Sequence, residues 1–284
     1  GSADGGGSSL GGGKTDRHTG ATGATHATPG DVRAFTAGGN PTSRPFLRGW
    51  VLSGVIIAVF AASAQFLFHT YDMKFGFKAL ALATIAAAIP LMIVVPTFMW
   101  LDRYEAEPRR YLMFAFGWGA LVAVIGALFL NTRTIEFLYN AGVGNIDFTG
   151  PVMVAPIVEE TVKGLGVFLI FLARRREFDG IIDGVVYAGI IGAGFAFSEN
   201  VLYLSRAYVS YGEQGLTALF FLRCLMGPFA HSMFTAAIGV GIGIAVQARS
   251  AVTRIVAIAI GWLCAMLLHA LWNYSASLGG DGFF

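Results

Sequence analysis

Apolar runs of about 20 residues recur along this chain, the length a helix needs to cross ~30 Å of hydrocarbon. Lipid offers the backbone no hydrogen bonds, so only helices and closed barrels span it, and long continuous runs select helices. About seven runs are read, at roughly 49–69, 78–100, 111–130, 150–173, 181–205, 222–247 and 252–275. With 55% hydrophobic and 13% charged residues, the expected fold class is all-α, a polytopic transmembrane helix bundle.

Arginines give that bundle an orientation. With the amino terminus in the cytoplasm, the inner side carries Arg44, Arg48, Arg103, Arg109, Arg110, Arg174, Arg175, Arg176, Arg249 and Arg254. The outer side carries the weaker set Lys74, Lys78, Arg133, Arg206 and Arg223. The positive-inside rule therefore predicts a cytoplasmic amino terminus and an external carboxyl terminus, in a multi-pass protein of the plasma membrane. Residues 1–44 are rich in Gly, Ser, Thr and Ala without apolar periodicity, and a disordered cytoplasmic tail is expected there. Its opening GSADGGGSSLGGGK reads in part as a scar of expression. His18 and His26 in the tail get no catalytic weight. No cleavable signal peptide is read, so the first span is expected to be an anchor. Residues 45–284 are then one transmembrane domain, with its core at about 150–275.

Ionisable residues interrupt the later spans: Glu159, Glu160 and Lys163, then Glu199 beside Asn200, then His231, then His269 with Asn273. Each costs at least ~2.5 kcal/mol in hydrocarbon, so such residues are rare there and mark function. At ~1.5 Å per residue and alternating direction, they fall roughly 9–14 Å below one membrane face, within about one helical turn of each other. With the amino terminus inside, that face is the outer one. Inverting the protein moves all of them together.

Glu159 and Glu160 lie ~100° apart and straddle Lys163 one turn on. Paired carboxylates can split into an acid and a base and activate a water, and Lys163 would keep one ionised. The alternative is a Glu–Lys pair that fixes packing. Pro156 would free the Val152 carbonyl and open a watered pocket, or simply kink the helix. Glu199 could bind a metal, orient a histidine or pair two helices. His231 could bind a metal or hold the water or oxyanion, and Asn273 could face the oxyanion or fix the tautomer of His269. Asp179, Asp183 and Arg174–Arg176 read as solvated anchors. Gly189, Gly192, Ala193, Gly194 and the stretch GVGIGI are expected to be packing faces. Cys224 and Cys264 have neither disulfide nor CxxC spacing. HExxH, phosphate loops and nucleic-acid patches are lacking.

The motifs EETVK at 159–163, FAFSEN at 195–200, HSMFT at 231–235 and HALWN at 269–273 resemble those of the PrsW family of intramembrane proteases, within the wider CAAX protease/Abi group. The resemblance covers about residues 90–275 and implies a CAAX-protease-like core. It implies cleavage of a membrane-anchored protein, with anti-sigma factors the best-known class. The CAAX group has a histidine where this chain has Glu199, which argues against prenylated peptides. The family is described both as metallo- and as glutamate-dependent; His231, His269, Glu199 and Glu160 are ligands suited to Zn2+.

The expected function is thus an intramembrane endopeptidase acting on a single-span membrane protein within the lipid bilayer. Glu159 or Glu160 activates water, while the histidines bind a metal or stabilise the oxyanion. Segments at about 131–149 and 206–221 are expected to cover the site. The alternative is a proton- or cation-coupled transporter using the same Glu, Lys and His groups as a relay.

Overall fold

The structure, a computed structural model, describes residues 43–104 and 106–278. The expected tail at 1–44, with His18 and His26, lies outside the described residues except for its last two positions. The chain divides into a unit ending at Arg48 and a second, Gly49–Phe284, which carries everything below.

Among the described residues all regular structure is helical: α1 (Ser43–Phe75), α2 (Phe77–Leu101), α3 (Arg109–Gly117), α4 (Val124–Asn140), α5 (Ile146–Thr149), α6 (Ala155–Ala173), α7 (Ile181–Phe220), α8 (Ala230–Gln247) and α9 (Ala251–Ser277). Wider π-helical turns occupy Trp118–Ala123, Gly150–Val154 and Phe221–Met226. Such turns are uncommon and concentrate at functional sites.

Among the described residues, five stretches are long and apolar enough to cross a membrane: Trp50–Phe75, Phe77–Leu101, Arg109–Asn140, Ile181–Gln247 and Ala251–Ser277. The fifth and sixth expected spans both fall in Ile181–Gln247, because the helix does not stop where hydropathy drops at Arg206. α7 runs on to Phe220, broken only at Gly212, whose φ of 65° and ψ of −152° are non-helical. Segment 206–220 is therefore helical, as is 131–140 within α4. α6 matches the fourth expected span in position, but Glu159, Glu160 and Lys163 make it too polar to qualify by composition.

α7 is the axis of the bundle and contributes to two apolar cores. One gathers Leu67, Leu80, Val124 and Leu204; the other gathers Val94, Val167, Phe178, Tyr187 and Ile242. Small residues let α7 and α8 touch backbone to backbone. A Cβ on Gly184 would stand 2.1 Å from the Gly239 carbonyl oxygen, and one on Gly192 2.6 Å from that of His231. The glycines of GVGIGI are packing positions, as expected. Outer helices turn large apolar residues outward, with Trp50 67%, Ile57 68% and Leu267 64% exposed. Faces of that kind suit lipid, whereas in water they would associate.

One expectation is corrected at the far end of α6, ~22 Å from Glu159 along the helix. Arg174 and Asp183 are not solvated anchors but buried. Arg174 pairs with Glu107 at 3.3 Å and with Glu177, and lies 4.6 Å over the Tyr111 ring. Tyr187 Oη donates to Glu107 at 2.6 Å. Asp183 caps α7 by accepting from the Asp179 and Gly180 amides. Asp179, Arg175 and Arg176 are exposed, as expected.

Burial pushes the Glu107 carboxyl above the usual range, with Asp183 and Asp102 adding to the rise and Tyr187 and Arg174 opposing it. A carboxyl raised by folding contributes stability below its unfolded pKa and loses it as pH rises through the folded value. Arg174→Met removes one of the opposing groups and raises Glu107 further. The variant is expected to melt about 5 °C below wild type in detergent at pH 8, and by much less at pH 5. Equal losses at both values would mean that Arg174 acts by packing alone.

Candidate active site

Helix runs without a break from α5 through the π-turn into α6, so Pro156 lies inside continuous helix and its missing N–H leaves a carbonyl of the turn without its helical donor. The π-turn Gly150–Val154 just before it widens the backbone, and the carbonyl it presents is that of Pro151 rather than Val152. Asn273 Nδ2 donates to that carbonyl at 2.8 Å, tying α9 to the turn. α6 is also gripped at its side, where Trp118 Nε1 donates to the Val162 carbonyl at 2.9 Å and Trp262 Nε1 to Thr161 Oγ1 at 3.0 Å.

The ionisable residues of α6, α7, α8 and α9 meet in one buried cluster. Lys163 and Glu160 have no exposed side-chain surface. Glu160 Oε1 accepts from Lys163 Nζ at 2.5 Å and faces His269 Nδ1 at 2.9 Å, while its Oε2 accepts from Thr235 Oγ1 at 3.0 Å. Lys163 Nζ also lies 3.3 Å from His231 Nδ1 and 4.1 Å from the Phe195 ring centroid. A lysine there can only donate, so His231 Nδ1 accepts and its Nε2 carries the hydrogen. That hydrogen points at Glu199 Oε2, 2.7 Å away. Likewise His269 Nδ1 carries the hydrogen to Glu160, leaving Nε2 toward Glu159 Oε2 at 3.8 Å.

The two adjacent glutamates thus differ. Glu160 is saturated by three neighbours. Glu159 Oε2 is buried with no hydrogen-bond partner, and its Oε1 meets Asn131 Nδ2 at 3.4 Å. Glu159 also lines a cavity with Asn131, Pro151, Glu199, Arg223 and Asn273.

Two contributors escaped the sequence reading. Arg223 was counted as an outer-side charge, yet its guanidinium donates to Glu199 Oε2 at 2.5 Å and to Asn200 Oδ1 at 2.9 Å. An arginine within two residues of an apolar run was the available signal. Asn131 sits at the end of the third run, where nothing in the spacing marks it.

Metal ligation was expected of His231, His269, Glu199 and Glu160. Among the described residues, Glu159, His231 and His269 offer ligand atoms within 4.8 Å of one another, a set that shares both histidines with that expectation and brings in Glu159. Glu160 and Glu199 instead hold the histidines from behind, the arrangement that orients metal-binding imidazoles. Glu159 Oε2, without a hydrogen-bond partner, and the His269 Nε2 lone pair suit a cation, whereas both ring nitrogens of His231 are engaged by Lys163 and Glu199, so the donor set fits only once that ring turns. Both cysteines are free, Cys224 buried and Cys264 exposed.

A family model described as PrsW family intramembrane metalloprotease matches residues 107–284. The chain is 27% identical over 194 residues to Protease PrsW of Oceanobacillus iheyensis, covering 68% of this chain and 82% of that relative. It is 29% identical over 154 residues to the Geobacillus kaustophilus protein of that name, covering 54% and 62%. It is 30% identical over 156 residues to that of Clostridioides difficile, covering 55% and 62%. No solved structure matches the chain.

Proposed function

This chain belongs to the PrsW family of intramembrane metalloproteases, and we propose that it hydrolyses a peptide bond of a single-span membrane protein, with Glu159 as the group that activates water. The observation that carries this assignment is the unequal use of the two glutamates. Glu160 has its oxygens taken by Lys163, His269 and Thr235. Glu159 Oε2 has no hydrogen-bond partner, only Lys163 at 4.0 Å and His269 at 3.8 Å, and Glu159 lines the cavity. A base needs an unoccupied lone pair within reach of its water.

Water attacks the scissile carbonyl as Glu159 Oε2 takes its proton, and the same carboxyl returns that proton to the leaving amine. The second N–H of Asn273 faces the developing oxyanion, while His269, whose N–H goes to Glu160, turns its Nε2 lone pair toward Glu159. Lys163 and Thr235 hold Glu160 in place, and Glu199 fixes His231 while Arg223, itself held by Asn200, braces Glu199. A Zn2+ ion held by Glu159, His231 and His269 would use the same Glu159 carboxylate as a ligand instead of a base, and His231 would have to turn a ring nitrogen away from Lys163 or Glu199 to join it. When bound, the metal supplies Lewis-acid polarisation of the carbonyl and a lowered pKa for water. Metal analysis of purified protein is expected to find about one zinc per chain in wild type, and at least tenfold weaker retention in His269→Ala. Equal retention would remove His269 from the holding set.

Anti-sigma-factor-like proteins are the substrate class implied by the sequence motifs. The site is placed in the outer half of the cell membrane by the positive-inside reading, with the amino terminus in the cytoplasm. The test compares new protein amino termini in membranes carrying wild type and Glu159→Gln. Termini specific to wild type, clustered near the outer ends of single-span proteins, are expected. Identical sets at matched expression would overturn the proteolytic reading. No observation favours the relay reading.

A further inference from the structure

Asn131 stands outside all four motifs, on α4, yet borders both cavities that reach Glu159. Its carboxamide has two unlike ends. Nδ2 faces Glu159 Oε1 at 3.4 Å. Oδ1 is buried without any hydrogen-bond partner. The orientation is chemically set: beside a carboxylate the amide must present its NH2, so its carbonyl is the end left over. Buried carbonyl oxygens nearly always have a donor, and one without demands an explanation.

The neighbours narrow what that donor is. The side-chain donors lining the cavity turn elsewhere, Arg223 to Glu199 and Asn200 and one N–H of Asn273 to Pro151, and neither these nor the Tyr203 hydroxyl reaches Asn131 Oδ1. A protease must hold its substrate extended, and an extended chain presents main-chain N–H groups at regular intervals. Specific sites often capture such chains through main-chain hydrogen bonds, as in strand addition.

We propose that Asn131 is a substrate-binding residue whose Oδ1 accepts one main-chain N–H of the substrate beside the scissile bond, while its Nδ2 steadies Glu159. The role rests on the proteolytic reading above. It places the cleaved segment against the α4 side of the cavity, across from Asn273. It makes recognition at this point independent of substrate side chains, because every residue except proline carries the donor. Proline at that one substrate position is disfavoured.

The test uses the full-length protein in detergent and a peptide copied from the strongest cleavage site in the terminus comparison. Each amide within three residues of the cut is replaced in turn by an ester, which keeps the shape and removes one N–H. With wild type, one ester is expected to slow cleavage about tenfold. Asn131→Leu is expected to slow cleavage of the all-amide peptide by a similar factor, and that ester then costs nothing further. A peptide with no ester-sensitive bond sinks the proposal whatever the variant does. So does an ester penalty that is unchanged in Asn131→Leu. Absence of wild-type-specific termini would instead sink the proteolytic reading, and this proposal with it.

Discussion

Glu159→Gln is expected to leave a folded protein whose cleavage rate falls about 10³-fold, the scale of a lost general base. Glutamine keeps the shape, and Oε2 had no hydrogen bond to lose. Glu160→Gln is expected to differ in kind. It leaves Lys163, with no exposed surface, without its 2.5 Å partner. Breaking one side of a buried ion pair costs about 3–5 kcal/mol. The amide keeps one oxygen for His269 but turns an NH2 toward Thr235, which had donated to the second carboxylate oxygen. Activity should vanish together with a marked drop in melting temperature. Both variants are measured by thermal unfolding and by cleavage. Full activity in Glu159→Gln would remove the assigned role, and an unfolded Glu159→Gln would make it structural.

Gly192→Ala should cost about 10²-fold in cleavage although Gly192 touches no reacting group, the size expected when a catalytic group shifts by about 1 Å. The added Cβ would stand 2.6 Å from both the His231 oxygen and the Ser232 Cα. Backbone on a helix cannot swing aside as a side chain can, so α8 must back away from α7. His231 then leaves Glu199, 2.7 Å away on the helix being pushed. The control is Gly54→Ala, whose Cβ would meet nothing within 4 Å and which should be neutral. Wild-type kinetics in Gly192→Ala would show that the contact between the two helices has slack.

The convergence of the four clusters was legible because helical rise is constant: counting residues from the membrane edge gives depth. Division of labour within the cluster was not. Whether Glu159 or Glu160 is saturated depends on Thr235 and His269, 75 and 109 residues away, and spacing says nothing of which helix faces meet. Arg223 was misplaced for a related reason. Hydropathy averages over a window, and a buried ion pair with Glu199 looks the same in that average as an exposed charge. Arg174 and Asp183 were misread because an interfacial charge is usually wet, whereas here Glu107 and the α7 cap enclose them. Helix ends were missed where polar sequence stays helical, as in α7 beyond Arg206. The packing glycines were read correctly, since absence of a side chain has one meaning wherever two helices touch.

The polarity of α6 also bears on how the chain is made. Lone charged residues near the middle of a span cost roughly 2.5–3.5 kcal/mol each on insertion scales, and α6 carries Glu159, Glu160 and Lys163. Lys163 offsets part of that within the helix itself, but the other donors that complete Glu160 reside on α8 and α9, which follow α6 in the chain. α6 therefore gains its full set of partners only once α8 and α9 have packed against it, and until then it is a half-satisfied helix in lipid.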